Sequence, residues 1–439
     1  MAVRSFRSHA LLAGIAAGLL APAVFSNEAA SAPPRHEGVA TCASTTCHGA
    51  ARPLAGTTVQ QNEYVTWSEF DPHAGALRRL RDERASGIAR RLGLGPADQA
   101  PACLACHSEV VATAPRGPKF QQDDGIGCEA CHGAAENWLA GHDDLTPETR
   151  AESLRAGLRA LNEPAVRAKV CTVCHVGSKD QLATHAMMAA GHPRLSFELD
   201  TFSELWRTSG GREHFRRDPA YAARKPAVGS AQVWLTGLVQ ASLASVDQVQ
   251  AAVGRRGLPD FAAFNCFSCH RNMGRSDRDV PRVPVTAEKP GALRLNDSAL
   301  RLLATAVSAR DPQRAAGVVR GLDELQRAAN EDRVAVTPAA SAVRRQLDLL
   351  GSTFAQTADR QAMLTAVLRA SAAGAYPDYA SAEQAAMAVV VLLADGQGDP
   401  RREADLDSVF AVLDNDAAFD QQRFARMLGR LGRVAKPRK

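Results

Sequence analysis

The sequence predicts a mostly α-helical protein with little regular β structure, in two parts. The N-terminal part is built around five cysteine–histidine motifs, and the C-terminal part is an all-α helical bundle. Three observations predict this. All ten cysteines fall into five pairs, and a histidine directly follows the second member of every pair. Beyond about residue 292 there is no Cys or His, and apolar residues recur at helical spacing in an Ala-, Leu- and Arg-rich background. Between the two lies a stretch with Pro281, Pro284 and Pro290 and mixed charge, the composition of a linker. The expected organisation is a signal peptide at residues 1–26, a five-motif domain at 35–275, a linker at 276–291 and a helical domain at 292–433.

The pairs are Cys42/Cys47 before His48, Cys103/Cys106 before His107, Cys128/Cys131 before His132, Cys171/Cys174 before His175, and Cys266/Cys269 before His270. In an exported chain, Cys-x-x-Cys-His is the attachment signal for covalent haem c. The two sulfurs add to the porphyrin vinyl groups, and the histidine becomes the proximal iron ligand. Zinc knuckles also use Cys-x-x-Cys, but nothing in a zinc site requires His after each second cysteine. Disulfides suit an exported chain, yet cysteines this close in a tight turn seldom reach good bridge geometry. The first motif has four residues between its cysteines. Because the vinyl positions are fixed, Ala43, Ser44, Thr45 and Thr46 must bulge outward. Twenty residues separate His107 from Cys128, close enough to predict a haem pair.

Taken in order, Arg4 and Arg7 precede an apolar run from Ala10 to Leu20 and small residues up to Ser26. That is the pattern of a secretory signal, too short for a permanent span. The expected location is therefore the periplasm, with no transmembrane span after cleavage. Losing Arg4 and Arg7 takes the formal charge from +5 to 5 − 2 = +3. Ten haem propionates would then make the loaded protein acidic, and no basic–aromatic interleaving supports a nucleic-acid partner. Asp71 and Pro72 predict a helix start with His73 in its first turn. A helix is expected over 81–92, stopped by Gly93, and another over 151–161 with Leu154, Leu158 and Leu161 on one face. In 180–195, His185 and His192 lie two helical turns apart and would share a face if the helix runs that far. A further helix is expected over 231–253. In the last part, Leu300, Leu303 and Val307, then Val343, Leu347, Leu350 and Phe354, mark apolar stripes. That region carries no chemistry legible in its residues.

A haem's sixth position decides between electron transfer and small-molecule chemistry. Outside the motifs stand His9, within the signal peptide, and six more: His36, His73, His142, His185, His192 and His214. These six are the candidate distal ligands for five haems, with Met187 or Met188 as substitutes beside better donors. At most one or two haems should stay open. No Cys-x-x-Cys-Lys site is present, none of Tyr64, Tyr221, Tyr376 and Tyr379 lies in a motif, and adjacent Asp143 and Asp144 do not make an acid–base pair.

CEACHG with His142 ten residues after His132, DPHAGA around His73, and THAMMAAGHPRLSFEL together resemble the multihaem cytochromes c of the cytochrome c-554 family. Its superfamily includes hydroxylamine oxidoreductase and pentahaem nitrite reductase. The resemblance covers residues 36–275. It implies a helical fold with a haem core and periplasmic electron transfer in anaerobic or nitrogen-cycle respiration. It also implies that His142 serves the first haem, His73 one of the central pair, and His185 and His192 later haems. The fifth motif, the stretched first motif and the helical C-terminal region depart from the tetrahaem members. They leave two alternatives to the electron carrier. One is a reductase of nitric oxide, hydroxylamine or a similar compound at a five-coordinate haem. The other is a subunit that wires a membrane oxidoreductase to soluble carriers. The expected partners are redox proteins, either a quinol-linked membrane oxidoreductase or soluble cytochromes.

Overall fold

A computed structural model describes residues 32–439 apart from 57–58, 145, 209–213, 217, 226, 254–257, 271–291, 351–353, 355–358, 394–399 and 435–439. The signal peptide and the 276–291 linker expected from the sequence lie outside the described residues. The described chain is mostly α-helical. Among the described residues there is no strand, and β pairing is confined to isolated bridges, His36 to Arg116 and Phe264 to Leu295. Among the described residues no helix is long and apolar enough to cross a membrane.

Residues 34–439 form one compact unit whose two ends are held together differently. From Ser230 onward the interior is ordinary apolar packing. Trp234, Leu235, Leu303, Val318, Leu325, Val343, Leu347, Val389 and Leu428 belong to one continuous buried cluster. Its organiser is the Ser230–Val253 helix, which packs against Ser298–Ser308 and Arg333–Asp348 on one side and against Pro164–His175 on the other. Gly237 lets that helix approach closely, because a Cβ there would lie 2.4 Å from the Cβ of Leu199. The buried Arg294 guanidinium donates to Asp297 at 2.6 Å and Asp378 at 2.9 Å, joining the start of the bundle to its later turns.

Before Ser230, helices are short and the apolar clusters small. One gathers Leu80, Ala89, Ala97, Ala100 and Cys103; others gather Ala168, Phe197, Leu199 and Val233, and Val39, Trp67 and Ala74. Such clusters bury too little apolar surface to order some two hundred residues against their conformational entropy. Something else must fill this half.

Local chemistry sets the boundaries. Asp82 caps Glu83–Arg91, and Gly93 in a left-handed conformation (φ 68°) follows its end. The helix expected over 151–161 instead runs Pro147–Arg155. Thr146 caps its start with Pro147 in the first turn, and Gly157 (φ 114°) ends it before Leu158. The 180–195 helix is only His185–Ala189, so His185 and His192 do not share a helical face. Gly191 (φ 106°) turns the chain between them.

Candidate haem sites

Each motif places its histidine just after a helical turn. CLACH ends the Pro101–His107 helix, CEACH is the Cys128–His132 helix, CTVCH ends Pro164–His175, and CFSCH opens on the turn Cys266–Ser268. In the last, the His270 amide donates to the Cys266 carbonyl at 2.8 Å. The stretched first motif closes the same way, with the His48 amide on the Cys42 carbonyl at 3.1 Å. Ser44, Thr45 and Thr46 loop out into solvent. Two extra residues thus leave the first-cysteine-to-histidine closure intact.

The ten cysteines are not equivalent, although their pattern in the sequence treats them alike. Those of the three middle motifs are buried or partly buried, as is Cys42, whereas Cys47, Cys266 and Cys269 are exposed. The reason is local. Cys47 closes the outward loop, with the Thr46 hydroxyl 3.8 Å from its sulfur. Cys269 follows the single short turn Cys266–Ser268, where the Pro101–His107 and Pro164–His175 motifs end full helices packed on their neighbours.

Four of the motif histidines face a second histidine from elsewhere in the chain. Ring centres are 6.2 Å apart for His48 and His142, 6.4 Å for His107 and His192, 5.8 Å for His175 and His73, and 6.2 Å for His270 and His185. Two metal–imidazole bonds of about 2 Å, plus about 1.1 Å from each ring nitrogen to its ring centre, require about 6.2 Å. Aromatic rings with no metal between them also fall in this range, so the spacing needs a second observation. The ring nitrogens supply it. Nδ1–H of His48 donates to Glu63 (2.8 Å), that of His73 to Asp71 (2.7 Å), and that of His107 to the Ala76 carbonyl (3.1 Å). His142 donates to the Leu139 carbonyl (2.6 Å) and His192 to the Pro193 carbonyl (2.8 Å). Each tie fixes the tautomer that leaves Nε2 free to ligate, as in metal-bound histidines generally. These residues fit haem c held between paired imidazoles.

The electrostatics agree. Burial holds His132 down to about 3 and His175 to about 4, so both are neutral imidazoles able to bind a metal. The Glu63 and Asp71 hydrogen bonds push His48 and His73 above the ordinary histidine value against the opposing effect of burial. All ten cysteines are unbridged. Burial raises Cys131 to about 12 and Cys171 to about 11, which keeps them neutral and unlike reactive thiols. Among the described residues no three His, Cys, Asp or Glu side chains gather into a metal cage, as zinc would need.

The thiols also order the motifs in space. Cys42 lies beside Cys128, and Cys106 beside Cys174; Cys131 lies within electrostatic reach of Cys171 and Cys174. The spatial sequence is therefore first, third, fourth, second. The second and third motifs, neighbours in the chain, each also lie beside another motif. His73 faces the fourth motif, not one of the central two, and His192 faces the second rather than a later one. The reason is geometric. The turn at Asp71–Gly75 is anchored by Gly125, whose left-handed backbone (φ 71°) lies where a Cβ would sit 2.8 Å from the His73 carbonyl. That anchoring aims His73 away from its neighbours in sequence.

Two candidates stand apart. His36 is bound to Glu109 through Nδ1 and lies edge-on to Phe120, facing no motif histidine. His214 is buried against Trp206, with ring centres 4.9 Å apart, and its Nδ1 has no partner among the described residues. It lies within electrostatic reach of His132, the one motif histidine with no facing histidine ring among the described residues. Met187 and Met188 lie on the His185 helix without displacing its histidine from His270.

Sequence reasoning missed the supporting residues. Glu129, inside CEACH, is a buried carboxylate accepting from the amides of Glu37 (2.9 Å), Gly38 (2.7 Å) and Ala135 (2.7 Å). Asp71 accepts from His73 and from the Trp206 indole (2.6 Å). Only the Asp-Pro-His order hinted at Asp71, and it was legible as a cap alone.

The helical fold and the paired imidazoles are those expected of a c-type cytochrome. Residues 41–133, which hold the first three motifs, His73 and Glu129, match the family described as "Cytochrome c554 and c-prime". This match supports a cytochrome c family and, with it, covalent haem c and an electron-carrying role. No curated protein and no solved structure matches the chain.

Proposed function

We propose that this chain is a periplasmic pentahaem cytochrome c that carries single electrons between respiratory redox partners. The observation that carries the reading is the set of four facing histidine pairs, in three of which Nδ1 atoms are tied back, at His48, His73, His107, His142 and His192. Bound there, haem c supplies reversible one-electron iron chemistry, and two imidazoles set it toward the reducing end of the axial-ligand range. The chain's own part is to hold the pairs in register and close both axial positions. The contiguity of the first, third, fourth and second motifs supports a continuous relay. The 185–192 segment, which reaches both His270 and His107, supports joining the fifth motif to the second.

The signal sequence at 1–26 supports export. A quinol-linked membrane oxidoreductase or soluble cytochromes are the partners that this chemistry suits. A pyridine haemochrome assay should give about five haems per chain; two or fewer would end the reading.

One observation favours a second reading. His132 has no facing histidine ring among the described residues, and His214 lies near it. At that site an open iron would bind a small nitrogen compound beside His214. Electron paramagnetic resonance of the oxidised protein, with and without nitric oxide, separates the two. Only low-spin signals support the carrier, and a high-spin iron that takes up nitric oxide supports the enzyme.

A further inference from the structure

The C-terminal helices carry no motif, yet one of them grips the segment that carries His192. Residues 190–198 run without helix between His185–Ala189 and Leu199–Thr208. This strap is held on one side by the Glu83–Arg91 helix. Arg91 donates to the Ala190 carbonyl (2.7 Å) and Arg84 to the Gly191 carbonyl (3.0 Å).

The other side is held by the Tyr379–Leu393 helix. Glu383 accepts from Arg194 (2.8 Å) and from the Ser196 hydroxyl (2.6 Å), while Gln384 donates to the Phe197 carbonyl (3.2 Å). The Arg194 guanidinium also lies 5.2 Å from the Tyr379 ring centre. Within this grip, His192 is two residues from Arg194, and Phe197 stacks on His175 with ring centres 5.0 Å apart. An unhelical segment has no hydrogen-bond ladder of its own to set where its side chains point. Their aim must come from the groups that clamp it.

We infer that Glu383, through Arg194 and Ser196, positions the 190–198 strap so that His192 and Phe197 meet the second and fourth motif histidines. The C-terminal helical region is thus part of the ligand-positioning apparatus and not only a packing or docking domain. This inference rests on the reading of paired histidines as haem ligands, and its test keeps the two apart. Glu383→Ala and the volume-conserving Glu383→Gln would be prepared as full-length holoprotein beside the parent. Asp247→Asn, which breaks the Arg344 ion pair between two helices of the same core, serves as control.

Haem content per chain should be unchanged in all of them. The ferric low-spin signal should fall or shift for about one to two fifths of the haem in Glu383→Ala, less in Glu383→Gln, and not at all in Asp247→Asn. A parent without haem would sink the functional reading itself. A loaded, low-spin parent whose Glu383→Ala spectrum and reductive titration superimpose on it would overturn the clamp alone, even if the variant melts earlier.

Discussion

Replacing His142 by alanine tests the axial pairing most directly. His142 and His48 stand 6.2 Å apart with their rings 28° from parallel, and their Nδ1 atoms are tied to the Leu139 carbonyl and to Glu63. Two bonds of about 2 Å to a shared iron account for this gap, with about 1.1 Å per ring to its centre. If the gap holds iron, the alanine variant opens one axial position and leaves the other three facing pairs as before. About one fifth of the ferric low-spin signal should convert to high-spin, and added imidazole should restore it. The midpoint potential of that haem should rise within the roughly 0.8 V span that axial ligands command. Trp138, edge-on to His142 at 5.6 Å, lines the space the imidazole leaves and should favour rescue by a planar ligand. His36→Ala is the control, since His36 is engaged by Glu109 and faces no motif histidine. An unchanged low-spin spectrum in His142→Ala, or an equal loss in His36→Ala, would refute the pairing argument.

Three further outcomes follow from the same contacts. Glu63→Gln removes the carboxylate that accepts from His48, which makes the imidazole a weaker donor. The first haem's potential should rise in a spectroelectrochemical titration while the haem count stays the same. Glu129→Ala strands two buried amides and one part-buried one, so at about 1–3 kcal/mol for each of the two buried amides, and less for the third, chemical denaturation should show a loss of about 2–6 kcal/mol or slightly more. Asp200 is raised to about 7, chiefly by burial and then by the charge of Glu198. Its neutral form is the one the fold favours, so this stabilising contribution is complete below the ordinary carboxylate range and is lost as pH rises toward 7. Asp200→Asn should therefore melt higher than the parent at pH 8, and the difference should vanish near pH 4; a pH-independent difference would contradict the assignment.

The five cysteine–histidine motifs and the broad fold were readable from sequence because their constraints are local. Vinyl spacing dictates how far apart two cysteines stand, so Cys103/Cys106 or Cys266/Cys269 declare themselves within five residues. The outward bulge of Ser44, Thr45 and Thr46 follows from the same constraint. Spacing carries nothing about cover, however, and Cys47 and Cys269 prove exposed where Cys103 is buried. Helical stripes such as Leu300, Leu303 and Val307 are equally local, and all three are buried. The spare histidines could be found by elimination, but their assignment could not. His73 lies nearest in sequence to the first and second motifs yet faces His175 of the fourth. His185 and His192, one helical face apart on paper, are parted by the turn at Gly191 and serve different motifs.

Those pairings depend on how separate short helices close on one another. Glu129 braces the 37–38 turn against the third motif, Gly125 backs the His73 carbonyl, and Glu383 holds the strap from a helix nearly two hundred residues away. Sequence alone determined which atoms are available to bind a porphyrin. Only the tertiary structure decided which imidazoles share a gap, because that is set by packing between segments whose separation along the chain carries no information about their distance in space.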